Sequence, residues 1–479
     1  MARTTHEAPG CTAIVVGAGM AGLLAARALS EHVDSVVVLE RDALSPTPRA
    51  RRGVPQGRHA HVLLAAGQQV LERWFPGLTG DLVDRGAIAV DTRDLVWHQG
   101  GGYRARCDLG RPTLAMTRPL LETTVRQRLL RQCAGVTVVD RTPVDGPVVE
   151  DGRVVGVAIG FQEMRADLVV DCSGRSTQML SALAREGFPE PDVSAIRIDM
   201  AYRTRVVERH DGTIDGSVAV AIDDPRQGHR MGVALPVEHD RWIVTLGSFH
   251  GDPAPTDPAS FEDAARALPA PELAAVLASG DAQGTVQRYR MPTSRRRHVE
   301  RAGRVAPGFV VLGDAVCSFN PVYGQGMTSA ALQALALGEC VGRFGPASDR
   351  LPATFYRRAA RVVDVPWRIA AGGDFADPRT TGAKSTGTDL TNRFLERVFR
   401  ACHSSPAVAR QTQRVQNLLD PPSSLLRPDR LLRILLADRR GGAAERRSAV
   451  GVPPREPSVA PPQSVDRHAA ELHRRMVLR

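Results

Sequence analysis

The chain opens on an uninterrupted apolar run at residues 13–16, a glycine-rich break at 17–22, apolar positions at helical spacing over 23–30, and a second apolar run at 35–39. Continuous apolar runs of this length mark strands covered on both faces, so the pattern predicts strand, turn, helix and strand of a parallel sheet. After a loop at 41–57 rich in proline and arginine, helical spacing resumes over 61–75 and Pro76-Gly77 ends it. Residues 114–131 read as a short strand running into an amphipathic helix, 136–139 as a buried strand, 152–159 as part of a hairpin and 166–170 as a further sheet strand.

From about 195 to 290 the pattern changes to alternating strands, at 196–207, 217–222, 231–235 and 242–249, with one helical region at 260–278. That block predicts an antiparallel sheet inserted within the first unit. Residues 309–312 return to a buried parallel strand, followed by Gly313-Asp314 and a helix over 326–341; helical spacing continues over 353–371 and 390–401. From 439 onward Arg, Pro, Gly, Ser and Ala dominate without sustained apolar period, apart from a short stretch near Leu472, which predicts a disordered tail over 439–479.

Composition refines this picture in three respects. With 479 residues, 43% of them hydrophobic and 24% charged, the chain is globular and too long for one core of ordinary size. The formal charge of +10 comes from arginines spread among acids, Lys384 being the only lysine, so a nucleic-acid surface is the weaker reading of the charge. The seven cysteines are odd in number, widely spaced and never arranged as Cys-x-x-Cys, which predicts free thiols in a reducing cytoplasm. The apolar stretch at 12–29 is broken by glycines and carries no cleavage signature, so neither a signal peptide nor stable membrane insertion is expected.

Gly17-Ala18-Gly19-Met20-Ala21-Gly22 lies between a strand and a helix, and Glu40, followed by Arg41, closes the next strand. In such an array Gly17 makes the tight turn, Gly19 lets backbone approach a pyrophosphate, and Gly22 lets helix pack on strand, while the Glu40 carboxylate accepts hydrogen bonds from ribose hydroxyls. This motif alone fits NAD or FAD. Near the other end, Gly313-Asp314 ends a strand and Asn320-Pro321-Val322-Tyr323-Gly324-Gln325-Gly326-Met327 leads into a helix. An aspartate there suits a ribityl hydroxyl, and a glycine loop opening a helix offers N–H groups and a positive dipole end to the anionic edge of a reduced flavin. FAD is therefore the expected cofactor.

With both motifs in view the chain resembles the FAD-dependent monooxygenases of the p-hydroxybenzoate hydroxylase fold. It is most similar to the epoxidases and tailoring hydroxylases of actinobacterial polyketide pathways, polyether epoxidases included, and more distantly to squalene epoxidase. Two further stretches support the resemblance: Arg51-Arg52-Gly53-Val54-Pro55-Gln56-Gly57-Arg58-His59-Ala60-His61 and Asp171-Cys172-Ser173-Gly174-Arg175-Ser176. It implies an α/β fold: an FAD-binding Rossmann-like domain in two parts, 10–194 and 301–345, a substrate domain with an antiparallel sheet at 195–300, and a C-terminal helical region at 346–438. It further implies that Arg118 reaches the FAD phosphates or ribityl chain and that Arg58 and His61 lie near the cofactor. Asp171 and Gly174 would belong to the family's Asp-Gly motif, which here is altered because Cys172 and Ser173 separate the two. That departure leaves two routes of reduction open, NAD(P)H acting directly or a partner flavin reductase. His59 is considered as a covalent flavin attachment and disfavoured.

Of the chemistries this fold hosts, halogenation is disfavoured because the chain has no lysine before Lys384 and no Trp-x-Trp-x-Ile-Pro segment. Reduction of the geranylgeranyl type is disfavoured because none of Trp74, Trp97, Trp242 and Trp367 sits in a Tyr/Phe-x-Trp-x-Phe-Pro context. The resemblance then implies oxygen insertion from O2 through a C4a-hydroperoxyflavin, an epoxidation or hydroxylation in which the cofactor carries the chemistry and the protein supplies position and a dry pocket. No acid or base is singled out; the residues expected to seat the flavin ring are Asn320, Pro321, Gly324, Gln325, Gly326 and Met327, with Gly17, Gly19, Met20, Ala21, Gly22, Glu40, Arg41 and Asp314 on the rest of FAD. An aromatic content of 4% and a second domain rich in Val, Ile, Ala and Met suggest a large aliphatic cavity for a bulky polyketide or isoprenoid. The alternatives are a flavin-dependent dehydrogenase and a non-catalytic flavin-binding protein.

Overall fold

The computed structural model describes residues 10–225 and 230–448. Five apolar runs pair as an all-parallel sheet in the spatial order Phe309–Val311, Leu168–Asp171, Thr12–Val16, Ser35–Leu39 and Val136–Val139. Helices Met20–Leu29, Gly326–Phe344 and Arg350–Asp374 cover it. Leu23, Leu24, Leu337, Phe355 and Val363 are fully buried beneath them, which is why these strands read as continuous apolar runs. Leu168–Asp171 is followed, far along the chain, by its neighbour Phe309–Val311, so the intervening residues leave the sheet and return.

Most of that excursion builds a nine-stranded sheet. Its order runs Cys317–Ser318, Ala282–Arg297, Val193–Glu208, Arg241–Ser248, Arg230–Val237, Val218–Ile222, Leu95–Gln99 and Gly102–Tyr103, with Thr381–Gly382 also pairing to Val193–Glu208. At a strand spacing of about 4.8 Å, the six steps from Cys317–Ser318 to Leu95–Gln99 span roughly 29 Å. The expected α/β architecture with an inserted antiparallel sheet is thus the observed one, with one parallel pairing in the large sheet, Leu95–Gln99 beside Val218–Ile222.

Four local expectations differ. The 16-residue strand Ala282–Arg297 has no apolar alternation to announce it: arginines, glutamines, Gly284 and Pro292 fill it, and its pairing with Val193–Glu208 decides its state. Leu95–Gln99 and Gly102–Tyr103 lie within the stretch read as the first part of the dinucleotide domain but pair in the large sheet. Residues 439–448, read as the beginning of a disordered tail, continue the helix Pro428–Ser448, because alanine, arginine and glutamate propagate a helix without needing an apolar stripe. The rest of that expected tail, 449–479, lies outside the described residues. The single helix expected over 260–278 is two, Pro258–Arg266 and Glu272–Ser279, broken at Pro269 and Pro271.

Helix Met20–Leu29 depends on one close approach. A Cβ added at Gly22 would come within 1.8 Å of the Gly17 carbonyl oxygen, and Gly17 itself takes φ +100° with Cys172 O only 2.7 Å from where a Cβ would stand. Alanine for glycine ordinarily favours a helix interior by about 1 kcal/mol. At this site the sign reverses: Gly22→Ala is expected to destabilise by about 3 kcal/mol, lowering the melting temperature by roughly 3–6 °C. Thermal unfolding followed by circular dichroism checks this, and an unchanged or raised melting temperature contradicts it.

Candidate functional site

One cavity of about 2250 Å³ runs from the glycine turn, past the 320–327 loop, and along a face of the nine-stranded sheet to the C-terminal helices. Its first end is built from helix starts. Gly19 precedes Met20–Leu29 with no side chain capping the first turn, so the N–H groups there remain open to a ligand. In front of Gly19 a Cβ would meet only Arg51 Nη2 at 3.8 Å and Arg118 Nη2 at 4.0 Å, leaving a space bounded by two guanidiniums. That combination suits a pyrophosphate.

Glu40, which is buried, accepts from Ala18 N at 2.8 Å and from Asp42 N at 3.0 Å, and pairs with Arg51 Nη1 at 2.8 Å. Arg51 also meets Glu122 at 2.8 Å and Asp42 at 3.4 Å. Burial works against its charge, but Glu122 and Glu40 outweigh that and hold its pKa above the ordinary value. Sequence alone gives Arg51 no distinct role, because a loop without period carries no signal of which arginine folds inward.

The second helix start is Gly326–Phe344, again without a side-chain cap. Gly324 ends the preceding turn at φ +64°, and a Cβ on Gly326 would have Asp314 Oδ1, at 3.9 Å, as its nearest neighbour. Asp314 lines the cavity, and among the described residues no hydrogen bond or ion pair engages its carboxylate. Burial raises its pKa while Arg118 and Arg175 oppose the rise. An acid held between two arginines and two helix starts, with its oxygens unspent, has the character of a hydroxyl acceptor. The residues present therefore fit FAD.

The loop is held from behind. Asn320, buried, accepts from Val322 N at 3.1 Å through Oδ1 and donates through Nδ2 to Asp374 Oδ1 at 2.7 Å. Asp374 stands at the end of a long amphipathic helix beside Gly372 and Gly373, where sequence gives no hint that its partner is a loop 54 residues away.

Of the other expected residues, Gly17, Met20, Ala21, Arg41, His61, Arg118, Gly174, Pro321, Gln325 and Met327 line the cavity. Three expected cofactor contacts do not. Arg58 is exposed and donates to Gln287 Oε1 at 3.3 Å, because its 3-10 turn points it outward. Asp171 is fully buried under the wall, where it accepts from Ser173 N at 2.9 Å, Ser173 Oγ at 2.6 Å and Thr177 Oγ1, closing its own turn. Gly22 serves helix packing, as expected of it, and lies away from the cavity. Arg175, which had no assigned role, lines the cavity and is fixed by Ser318 Oγ at 2.9 Å and Thr293 Oγ1 at 2.6 Å.

The two histidines are neutral. His61 donates from Nδ1 to His59 O at 2.9 Å, and burial together with the Arg118 charge lowers its pKa to about 3. His59 is lowered to about 4 by burial and by Arg203 and Arg58. Its Nδ1 is hydrogen-bonded to Thr204 Oγ1 at 2.7 Å, Thr204 Oγ1 to Thr245 Oγ1 at 2.6 Å, and Thr245 Oγ1 accepts from Ala60 N at 3.0 Å.

Burial raises the Asp374 pKa to about 7, against about 3.9 in an unfolded chain. The native state thus keeps a proton that the unfolded state releases, so this group lowers stability progressively as pH rises from about 4 to about 7. Asp374→Asn keeps an acceptor for Asn320 and cannot ionise. It is expected to remove that slope and to exceed the parent by on the order of 3 kcal/mol above about pH 7. Urea unfolding at several pH values measures it, and parallel curves for parent and variant contradict it.

Comparison with known proteins bears on the fold. Residues 15–71 match the family model described as NAD(P)-binding Rossmann-like domain. Protein Rv3254 of Mycobacterium tuberculosis (strain ATCC 25618 / H37Rv) is 34% identical over 435 residues, which are 85% of this chain and 90% of that protein. Kynurenine 3-monooxygenase of Salinispora tropica is 28% identical over 68% of this chain and 72% of its own length. Among solved structures, the flavin-dependent brominase Bmp2 superposes with a TM-score of 0.63 at 15% identity, covering 91% of this chain and 99% of that one. The p-nitrophenol 4-monooxygenase PnpA of Pseudomonas putida DLL-E4 gives 0.59 at 19%, covering 85% and 99%. The chain has the fold of the flavin-dependent monooxygenases, and it belongs to the family of the mycobacterial protein Rv3254.

Proposed function

We propose that this protein is an FAD-dependent monooxygenase that epoxidises or hydroxylates a large hydrophobic substrate of the polyketide, polyether or isoprenoid type. The observation that carries the reading is the unengaged Asp314 carboxylate between two uncapped helix starts at one end of a cavity that has an aliphatic wall on the large sheet. Val218, Val220, Met231, Val233, Leu235 and Met291 supply that wall from the large sheet. Ligand pockets commonly measure about 300–1,000 Å³, so 2250 Å³ leaves room for a substrate of that order beside a dinucleotide.

In this reading Gly19, Arg51 and Arg118 hold the pyrophosphate, Glu40 the ribose, and Asp314 the ribityl chain. The N–H groups opening Gly326–Phe344 face the flavin edge, with Asn320 and Asp374 fixing the loop. FAD, when bound, supplies the activation of O2 and the transfer of one of its atoms. The chain's own part is to position the substrate carbon and exclude water. Electrons come from NAD(P)H, directly or through a partner flavin reductase. Localisation in the cytoplasm belongs to the same proposal; the structure adds that no helix among the described residues is long and apolar enough to cross a membrane, and that the seven cysteines are free.

The brominase in the fold comparison makes halogenation the second reading. Against it, Lys384, the only lysine, pairs with Asp389 at 2.6 Å, and its ammonium lies over the Phe375 ring.

Two outcomes are expected. Purified protein should carry FAD that acid precipitation releases completely, and Asp314→Ala should weaken FAD retention by at least about tenfold, whereas Asp171→Ala should act on stability more than on affinity. Under 18O2 with an alkene-bearing hydrophobic substrate, one labelled oxygen atom should enter the product. Label arriving only from water, or product forming anaerobically, would reassign the chain to a dehydrogenase.

A further inference from the structure

Arg104 is a buried cation without a matching acid. It is 6% exposed, follows the strand pair Leu95–Gln99 and Gly102–Tyr103, and no carboxylate among the described residues binds it. Its guanidinium lies 4.1 Å from the Trp97 ring centroid and 5.6 Å from that of Phe399. Nη1 donates to Gln416 Oε1 at 2.8 Å, Nη2 donates to Gln99 Oε1, and Nε is sealed without a partner. Burial lowers its pKa from the ordinary value, with only the Cys402 and Cys107 thiols opposing. Removing a charge from water without a counter-charge is costly, and aromatic faces and amide oxygens offset only part of that.

The two glutamines turn this local cost into a surface. Because a guanidinium can only donate, it fixes both side-chain oxygens inward, and each amide nitrogen must then face the other way. Gln99 and Gln416 both line the cavity, and neither amide nitrogen has a hydrogen-bond partner among the described residues or is sealed from the cavity. Two amides therefore border the cavity, one on a strand and one on helix Pro406–Gln416, each polarised by the same buried cation. They sit at the end of the large sheet opposite Cys317–Ser318, the strand next to the 320–327 loop.

We propose that Gln99 and Gln416, set in place by Arg104, form a carboxylate-binding subsite at this remote end, so that the substrate is a long hydrophobic molecule with an anionic oxygen terminus. Amide donors backed by a cation suit a carboxylate, and an anion there completes the charge balance that Arg104 lacks. Anchoring the far end of a flexible molecule also limits which carbon reaches the flavin end, which is how remote contacts set regiochemistry. The inference rests on the reading of this cavity as the substrate site.

The test is calorimetric titration of the oxidised FAD holoprotein, without turnover, using laurate and methyl laurate at about pH 8, where laurate is ionised. The parent is expected to bind laurate at least about tenfold more tightly than the ester. Gln99→Leu and Gln416→Leu should each cut that preference by about fivefold while leaving ester affinity within about twofold. Arg104→Met, which keeps the stack on Trp97 without charge, should abolish it; if that variant does not fold, the glutamine variants decide. Equal binding of acid and ester by the parent, no measurable laurate binding, or variants that lose thermal stability but keep the parent's ratio would each overturn the proposal and leave Arg104 as a strut. Because no oxygen chemistry takes place in this titration, failure here leaves the labelling result standing, and the reverse is equally true.

Discussion

The approach of the Gly22 Cα to the Gly17 carbonyl is the constraint on which the site depends. A helix can open directly beneath the end of strand Thr12–Val16 only if no Cβ intervenes, and only then do its first N–H groups face the cavity. The consequences propagate through the sheet: Leu39 O receives Gly17 N, Glu40 follows at the next strand end, and the Glu40 carboxylate returns to Ala18 N. Turn, acid and helix start thus form one hydrogen-bonded unit that stands complete before any ligand joins it.

Charge is distributed within the molecule in three distinct ways. Arg51 is over-compensated by Glu40, Asp42 and Glu122, which makes it a rigid corner. Asp171 spends its oxygens on the turn after its own strand and so is unavailable to a ligand. Asp314 and Arg104 are the opposite case, one an acid that faces Arg118 and Arg175 but spends its oxygens on no hydrogen bond, and one a base beside the cavity with no carboxylate against it among the described residues. Unspent charge in low dielectric is tolerated where a ligand completes it, and these two groups mark opposite ends of the same cavity.

Sequence alone determined the dinucleotide half of this protein. The five parallel strands, the role of Gly17, Gly19 and Gly22 in the turn, Glu40 at the next strand end and the pairing of Asp314 with the 320–327 loop were legible because each is local: an apolar run, a glycine array, an acid at a fixed offset. The alternating strands between 193 and 248 were legible for the same reason.

Only the tertiary structure decided the rest. Ala282–Arg297 is a strand because Val193–Glu208 pairs with it, against the character of its own residues. Arg58 looked like a cofactor ligand by position in its motif, yet a 3-10 turn aims it at solvent; Arg51, a few residues earlier, turns inward to three acids from distant elements. Asp374 and Arg104 acquire their meaning from partners 54 and 312 residues away. Periodicity and motif spacing encode the backbone's local choices, whereas burial of a charge depends on every element packed around it, and that sum exists only in the folded chain.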